Sequence, residues 1–277
     1  MGEKIMNNQV LLINDLAGYG KVALTAMIPV LSHLNISVQS LPTALVSNTL
    51  DYGKFDILDT TAYMQNTLKI WDELGFSFDA IATGFITNVN QALLINEYCH
   101  RESKKGSLIL CDPIMGDEGS LYPGMDASKV DEMRQLISCA DYVVPNYTEA
   151  TLIANKEYTT NPSNQDIKEC IDELRAIGSK SVIITSVQQN AKYMVCCYDH
   201  QEDRYFNIEY QNIDVRFPGT GDIFSSVLLG SLMNGSNLET SVKEAMDIVV
   251  KMIKLSLDNK DLYKGIEIEK CLGEIDG

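Results

Sequence analysis

The segment Phe217-Pro-Gly-Thr-Gly-Asp-Ile-Phe224 stands directly before a long pattern with helical spacing. Glycines let successive backbone N–H groups converge because no Cβ stands in the way, and a helix N-terminus adds partial positive charge. The segment therefore predicts an anion hole formed by Gly219, Thr220 and Gly221. Asp222 lies in the first turn, where its carboxylate can take a proton from a hydroxyl group that attacks phosphorus. The alternative is that Asp222 is only a first-turn acid favoured by the helix dipole.

The composition excludes several classes of protein. The chain of 277 residues is 45% hydrophobic and 22% charged, which is ordinary for a globular protein that buries a sizeable core. It carries 38 acidic and 22 basic residues, for a formal charge of −16. Such a surface disfavours nucleic acid and acidic membranes as partners and favours small molecules. No apolar run approaches the roughly 18 residues of a membrane span, and residues 1–6 lack a signal-peptide pattern.

The cysteines and histidines give no pattern of a metal site or a disulfide framework. Seven cysteines are scattered without a C-x-x-C pair, and the three histidines lie far apart. Reduced thiols in a reducing cytosol fit this usage, so we expect a cytoplasmic protein. Cys196 and Cys197 lie in a predicted strand, where adjacent side chains point to opposite faces, and we interpret them as packing residues.

Short apolar runs alternate with helical patterns along the chain. The predicted strands are residues 10–13, 37–41, 80–83, 107–111, 142–144 and 181–185, with a hairpin or flap over 193–210. The predicted helices are residues 22–34, 88–104, 128–138, 164–177, 221–234 and 238–257, and one that Asp59 caps and Gly75 ends. Pro29 predicts a kink or an early stop in the first helix. The alternation predicts an α/β fold, a mostly parallel central sheet with helices on both faces, and one domain over residues 1–277.

Polar residues directly after strands are the first candidates for a site, because ligands of open α/β sheets bind at the carboxyl ends of the strands. Four such pairs are Asn14-Asp15, Thr83-Gly84, Asp112-Pro113 and Thr185-Ser186. Turn chemistry alone explains any one of them equally well. The sequence has no G-x-x-x-x-G-K-[ST] motif, which excludes the common P-loop kinases, and Gly18-Tyr19-Gly20 lacks the rest of a dinucleotide fingerprint.

These motifs together resemble the ribokinase-like superfamily and, within it, the pyridoxal/pyridoxamine (vitamin B6) kinase family. The resemblance covers about residues 10–257 and rests on residues 13–15, 18–20, 47–48, 83–85, 111–117, 145–150, 184–186 and 219–222. G-T-G-D at 219–222 marks the superfamily. D-P-I-M-G-D at 112–117 and P-N-Y-T-E at 145–149 narrow it to the pyridoxal and hydroxymethylpyrimidine kinases. The resemblance implies a three-layer α/β/α ribokinase-like fold.

The resemblance also implies ATP and Mg²⁺ as cofactors. Asp222 would be the catalytic base, and the ATP and Mg²⁺ site would include Asp112, Asp117, Asn146, Glu149, Thr185 and Ser186. Of these, Asp112 and Glu149 would lie nearest the metal, through water. Asn146 and Glu149 also have the spacing of a helix capping box, and capping is compatible with orienting Mg²⁺. The flap at 193–210 would cover the adenine.

The implied vitamin site consists of Asp15, Tyr19, Ser47, Asn48 and Phe85. Asp15 stands where many pyridoxal kinases have Ser, and its carboxylate could pair with a protonated ring nitrogen or with the amine of pyridoxamine. Phe85 replaces a Tyr of many relatives, which keeps ring stacking but loses a hydroxyl group. Leu50 stands where some relatives carry Thr. These departures from the family pattern affect which B6 vitamer the protein prefers, and not the phosphoryl transfer itself.

The activity that the resemblance implies is ATP-dependent phosphorylation of the 5′-hydroxymethyl group of pyridoxal, pyridoxamine or pyridoxine. One alternative is a hydroxymethylpyrimidine kinase of thiamin synthesis, which shares most of the nucleotide site. Another is a catalytically idle vitamin-binding protein, although a pure binder needs no base beside an anion hole. A sugar kinase is disfavoured because the first strand and first helix leave no room for a lid hairpin. By resemblance alone we expect a homodimer.

Overall fold

A computed structural model describes residues 8–122 and 124–275. Its strands are β1 (Gln9–Ala17), β2 (Ser37–Val46), β3 (Ile57–Asp59), β4 (Ala80–Thr83), β5 (Leu108–Cys111), β6 (Gly116–Asp117), β7 (Ser120–Leu121), β8 (Tyr142–Val143), β9 (Ser181–Gln189), β10 (Lys192–Asp199) and β11 (Arg204–Tyr210). Its α-helices are α1 (Ala23–His33), α2 (Thr61–Leu74), α3 (Val89–Lys105), α4 (Ser128–Ile137), α5 (Tyr147–Ala154), α6 (Asn164–Ile177), α7 (Thr220–Met233), α8 (Leu238–Leu255) and α9 (Ile268–Cys271). Among the described residues no helix is both long and apolar enough to cross a bilayer.

The chain forms two compact units. One consists of the residues up to Ala82 together with those from Ile213 onward, and the other is Thr83–Asn212. The interpretation of the chain as a single domain stays a prediction. The sequence-based reading of residues 1–6 lies outside the described residues.

The first unit is built around β1. Residues 10–13 of this strand are fully buried, as their unbroken apolar run predicts for a strand covered on both faces. The strand pairs in parallel with β2, and β2 pairs antiparallel with the short edge strand β3. The register of the first pair shifts between Asn14 and Leu16, which is a bulge near the end of β1 at the polar residues Asn14 and Asp15. Helices α7 and α8 pack along each other in the same unit.

The second unit contains parallel strands flanked by an antiparallel hairpin. Strand β8 lies between β5 and β9 and is parallel to both. Strand β10 pairs antiparallel with β9 and with β11, which confirms the predicted hairpin. Cys196 and Cys197 are fully buried in β10, in agreement with a packing role. Parallel strands with an antiparallel hairpin at one edge are common in folds of the predicted α/β class.

Several predicted element bounds are wrong in detail. Helix α1 runs through Pro29 to His33, so the predicted early stop does not occur. The cap position of α2 is Thr60 and not Asp59. Asp59 is instead the last residue of β3, and its side chain accepts the N–H of Thr61 at 2.9 Å. The sequence analysis missed β3 and the β6–β7 hairpin because two- and three-residue strands leave no periodic pattern. The predicted β2 and β9 also end too early: β2 continues through Pro42 to Val46, and β9 continues through the polar residues after Thr185 to Gln189.

Candidate active site

Helix α7 begins at the G-T-G-D motif with an open N-terminus. Gly219 precedes the helix with φ of 86°, and a Cβ at this position would lie 2.1 Å from the carbonyl oxygen of Lys21, so only glycine fits. At Gly221 a Cβ would meet nothing within 4 Å. The first N–H to bond back to Gly219 is that of Ile223, at 3.1 Å. The amides before Ile223 therefore precede the intrahelical ladder, and among the described residues no side chain caps them.

The carboxylate of Asp222 is held by two donors from the same unit. Its Oδ2 accepts the backbone N–H of Ala23 at 2.8 Å, and its Oδ1 accepts the side-chain amide of Asn14 at 3.4 Å. Burial raises the pKa of Asp222 to about 6, and the two hydrogen bonds act in the opposite direction. Each carboxylate oxygen has two lone pairs, so both keep an acceptor position. The group is suited to accept a proton near neutral pH.

The backbone of Ala23 adopts an unusual conformation to make this contact. Its φ is 47°, in the left-handed region that an alanine rarely occupies. The hydroxyl of Thr25 accepts the preceding N–H, that of Val22, at 3.2 Å. The start of α1 is therefore fixed with an N–H directed at Asp222. The sequence analysis missed this donor, because nothing in an alanine signals a positive φ.

Asp15 lies close enough to Asp222 for their charges to interact. It sits at the β1 bulge, half-buried, and its N–H donates to the Oδ1 of Asn14 at 3.0 Å. Burial, and then the negative charge of Asp222, raise the pKa of Asp15 to about 7. The structure thus brings Asp15 and Asp222 together around Asn14, a residue that the sequence marked as a candidate beside Asp15 but to which it assigned no role.

The other residues of this unit that are predicted to bind the vitamin lie on two neighbouring loops. Tyr19 is 49% exposed, and its ring packs against that of Tyr52 with 5.9 Å between centroids. Ser47 donates to the Oδ1 of Asn48 at 2.7 Å, and the Asn48 amide donates to the carbonyls of Thr49 and Lys54, at 3.0 and 2.9 Å. The Ser47 hydroxyl also accepts the N–H of Asp56 at 2.9 Å, so Ser47 and Asn48 together hold their own loop, whereas the Tyr19 ring is partly exposed.

The C-terminal segment supports these loops, although its sequence gave no sign of it. The carbonyl of Tyr263 accepts the Thr49 hydroxyl at 2.7 Å, and the carbonyl of Lys264 accepts the Lys21 N–H at 2.8 Å. The side chain of Lys21 forms an ion pair with Glu269 of α9. Polar composition alone gives no signal for contacts made through carbonyl oxygens.

In the second unit, Asn146 and Glu149 form the predicted capping box at the start of α5. Asn146 Oδ1 accepts the Glu149 N–H, and Glu149 Oε2 accepts the Asn146 N–H, both at 2.9 Å. Glu149 Oε1 accepts the N–H of Met115 at 3.0 Å, and the Asn146 amide donates to the Gly116 carbonyl at 2.8 Å. The box thus joins the helix to the loop that follows β5.

Asp112 and Glu149 are two buried carboxylates of the same unit. Asp112 is 9% exposed and Glu149 is 3% exposed. Burial and the charge of Asp112 raise the pKa of Glu149 well above its usual range, against hydrogen bonds from the backbone. Among the described residues no three His, Cys, Asp or Glu side chains form a metal cluster. Two carboxylates are nevertheless a fitting donor set for Mg²⁺, which usually takes one or two from the protein and the rest from water and phosphates.

The remaining predicted residues of this unit occupy loops and a strand end. Thr185 forms an isolated parallel bridge with Asn146, which brings it to the capping box. Ser186 is exposed with φ of 58°, and Asp117 is half-buried in β6, where it accepts the N–H of the next residue at 2.9 Å. Phe85 is half-buried in the loop after β4. Their roles toward a ligand stay predictions.

Comparison with known proteins identifies close structural relatives. A protein from Bacteroides thetaiotaomicron VPI-5482, described as a phosphomethylpyrimidine kinase, is 35% identical and has been solved in two crystal forms. The rhombohedral form has a TM-score of 0.94 and covers 100% of this chain and 96% of its own. The orthorhombic form, which contains pyridoxal, has a TM-score of 0.92 and covers 97% of this chain and 96% of its own. The predicted fold class is confirmed.

Two curated relatives have different substrates in their names. The pyridoxal kinase of Dictyostelium discoideum is 26% identical over 92% of this chain and 88% of its own length. The hydroxymethylpyrimidine/phosphomethylpyrimidine kinase of Aquifex aeolicus (strain VF5) is 26% identical over 92% of this chain and 97% of its own. The family model described as phosphomethylpyrimidine kinase matches residues 17–267. The chain is therefore a kinase that belongs to the phosphomethylpyrimidine kinase family, which agrees with the predicted ribokinase-like relationship.

Proposed function

We propose that this kinase transfers the terminal phosphoryl group of ATP to the 5′-hydroxymethyl group of pyridoxal, pyridoxamine or pyridoxine. One observation carries the proposal: the carboxylate of Asp222 lies at the open N-terminus of α7, held by Ala23 and Asn14 with acceptor positions left over. The relative that is 35% identical and was solved with pyridoxal supports the choice of acceptor.

Asp222 would act as the general base. The substrate alcohol oxygen attacks the γ-phosphorus, its proton passes to Asp222, and the bond to the bridging oxygen of ADP breaks. The amides of Gly219, Thr220 and Gly221 would stabilise the negative charge on the transferred group. Because the pKa of Asp222 is raised only to about 6, most of the carboxylate is ready to accept a proton at pH 7 and above.

The nucleotide site would lie in the second unit. Asp112 and Glu149 would hold Mg²⁺ through water, since the oxygens of Glu149 already accept backbone N–H groups. When bound, Mg²⁺ would neutralise charge on the triphosphate. The phosphates around the Mg²⁺ ion, or the waters bound to them, would be contacted by Asp117, Asn146, Thr185 and Ser186. The β10–β11 hairpin would cover the adenine.

Asp15 would select the charge state of the vitamin. A carboxylate with a pKa of about 7 is partly ionised at neutral pH and would gain from a cationic partner such as a protonated ring nitrogen or an amine. In the first unit, the ring of Tyr19 would contact the ring of the vitamin, and Ser47 and Asn48 would line the same site.

A hydroxymethylpyrimidine kinase is the second candidate. The matching family model and the Aquifex relative both carry the name of that activity. The phosphoryl chemistry would be the same, because both substrates present a hydroxymethyl group on a nitrogen heterocycle. A catalytically idle vitamin-binding protein is disfavoured, because it would not need the base that Asn14 and Ala23 hold.

A coupled ADP-release assay separates these possibilities. The purified protein is given Mg²⁺ and ATP with pyridoxal, pyridoxamine, pyridoxine, hydroxymethylpyrimidine or ribose, and the background without acceptor is subtracted. We expect ADP release that depends on a B6 vitamer. Release with hydroxymethylpyrimidine alone would assign the second candidate, and no release with any acceptor would leave the binding protein. The homodimer and the cytoplasmic location remain proposals, to be tested by light scattering and cell fractionation.

A further inference from the structure

Asn14 lies within β1, directly before the bulge in that strand. It is 2% exposed. Its Oδ1 accepts the N–H of Asp15 at 3.0 Å, while its Nδ2 lies 3.4 Å from Asp222 Oδ1 and 3.5 Å from Met27 Sδ. One buried side chain thus joins Asp15 and Asp222.

We propose that Asn14 is the positioning residue of the catalytic base, holding the Asp222 carboxylate in a fixed orientation and in its ionised form. The inference rests on the proposed function, because it treats Asp222 as the base. It assigns to Asn14 no contact with substrate or nucleotide.

The orientation of the Asn14 amide follows from its contacts. A backbone N–H can only donate, so the atom facing the N–H of Asp15 must be the carbonyl oxygen of the amide. The NH₂ group therefore faces Asp222. Because an NH₂ group can only donate, it favours the ionised carboxylate over the protonated one. The N–H of Ala23 acts in the same way on the other oxygen, so two donors fix the plane of the carboxylate.

An acid at position 14 would have the same shape and the opposite effect. A carboxylate there would face Asp222 and Asp15 and would add a third negative charge to a buried cluster. A leucine would fill nearly the same volume without a donor. The choice between amide, acid and hydrocarbon is therefore a direct probe of the proposed role.

Other charged groups lie on the elements of the first unit that pack against α7, and on the elements that pack against those. Asp15 lies on β1, and Lys21, in the loop before α1, pairs with Glu269 of α9. Along α1 the one titratable residue is His33, in its last turn, far along the helix from Asp222. Helix α8, which packs along α7, carries Glu239, Lys243, Glu244, Asp247, Lys251 and Lys254. Every variant below leaves all of these groups in place.

The test measures the proton affinity of Asp222 directly. In protein labelled with ¹³C at the aspartate carboxyls, the Asp222 resonance is assigned by its loss in Asp222→Asn and titrated from pH 4 to 9. We expect Asn14→Leu to move the midpoint up by roughly half a pH unit or more, because a hydrogen bond to the charged form is lost. The acidic limb of the kcat profile should move with it, while KM for ATP changes by less than about twofold.

Two further variants keep the test decisive. Asn14→Asp preserves the shape of the side chain and should raise the Asp222 midpoint further than Asn14→Leu does, because it adds a negative charge. This variant also provides the test if the leucine variant does not fold. Thr43→Val is the matched control, because Thr43 is a fully buried polar residue on β2 of the same unit. It should lower thermal stability and leave the Asp222 midpoint in place.

An unchanged Asp222 midpoint in both Asn14 variants would overturn the proposal, and so would an equal shift in Thr43→Val. Failure of the proposed function looks different. If no acceptor gives ADP but the midpoint still moves, Asn14 controls the ionisation of Asp222 and the assigned reaction is wrong.

Discussion

The two units each hold one carboxylate of the candidate site, Asp222 in the first and Glu149 in the second, and the two differ in their burial and in the donors that they accept. Asp222 is half-buried, accepts one donor on each oxygen, and has a pKa raised to about 6. Glu149 is buried, accepts backbone N–H groups on both oxygens, and has a pKa raised well above its usual range. The first carboxylate keeps acceptor positions within reach of a ligand. The second is part of the architecture that connects α5 to the loop after β5.

The surroundings differ in strain as well. The Asp222 carboxylate is held by the N–H of Ala23, and Gly219 begins the helix that carries it; both of these residues have a positive φ. The backbone around Glu149 forms an unstrained capping box. Strain of this kind persists where the surrounding structure fixes it, and it is common at sites that place a reactive group. The comparison predicts that substitutions at Asp222 change the chemistry, whereas substitutions at Glu149 change the fold first.

The largest expected effect belongs to Asp222. Asp222→Ala should lower kcat by about 10²–10⁴-fold, because a general base contributes on that order. The dissociation constant for ATP should stay within about threefold, because the side chains implied to bind ATP and Mg²⁺ are on other elements and the substitution leaves the backbone amides of residues 219–221 in place. The measurements are steady-state turnover and calorimetric titration of ATP. Turnover within tenfold of wild type would contradict the role of base, and Ser226→Ala, one helical turn further along α7, is the matched control.

Glu149 should show the next largest effect, on stability. Glu149→Ala leaves the buried N–H groups of Met115 and Asn146 without acceptors, at roughly 1–3 kcal/mol each, so the free energy of unfolding should fall by about 3 kcal/mol. Chemical denaturation measures this change. Glu102→Ala is the control: Glu102 is also buried, but its partners Arg101 and Lys105 are half-exposed or exposed side chains that water can solvate again. We expect the free energy of unfolding to fall by about 1 kcal/mol in Glu102→Ala. An equal fall in the two variants would contradict the structural role that distinguishes Glu149.

The sequence predicted those parts of both sites that depend on local patterns. The start of α7 at G-T-G-D and the capping box of Asn146 and Glu149 are signals within four residues, and both are confirmed as local structures. The glycine end of α2 at Gly75 was predicted for the same reason. Each of these depends on the conformation of one turn, which a few side chains determine.

The parts that sequence reasoning missed depend on distant contacts. Asn14 and Asp222 are 208 positions apart, and nothing in either local pattern connects them. The left-handed Ala23 follows from its packing and not from its own preference. Likewise the carbonyls of Tyr263 and Lys264 reach the loops of the first unit from a segment whose side chains looked uninformative. Tertiary structure supplied these contacts, so a single sequence could not reveal them.

Asn146 tests whether the capping box serves only the fold. Asn146→Ala removes the cap and the bond to the Gly116 carbonyl, so the free energy of unfolding should fall by about 1–2 kcal/mol. The matched control is Ser163→Ala, which removes the equivalent capping box of α6 in the same unit. Both should lower the melting temperature, and Asn146→Ala alone should raise KM for ATP. An unchanged KM in both would make the box at α5 purely structural.

The smallest expected effect concerns Asp15 and the pH dependence of stability. Its pKa is raised from 3.8 to about 7 in the folded protein, so between these values the folded state binds more protons than the unfolded state. The free energy of unfolding therefore falls as pH rises through this window. Asp15→Asn cannot ionise and escapes this loss. The melting temperature of Asp15→Asn minus that of wild type should therefore rise by about 2–4 °C from pH 4.5 to pH 8. This corresponds to a difference of roughly 1 kcal/mol in the free energy of unfolding, once solvent screening of the half-buried carboxylate is included.

Asp166 provides the control of opposite sign for this measurement. The Ser163 N–H and hydroxyl lower its pKa, so its contribution to stability is present above the ordinary pKa of an aspartate and is lost as pH falls below it. Asp166→Asn should therefore be less stable than wild type at pH 7, and the difference should shrink toward pH 3. If the melting temperature of Asp15→Asn instead stays at a constant difference from that of wild type between pH 4.5 and pH 8, then ionisation of Asp15 does not destabilise the folded protein. The contrast between the two units would in that case rest on Asp222 alone.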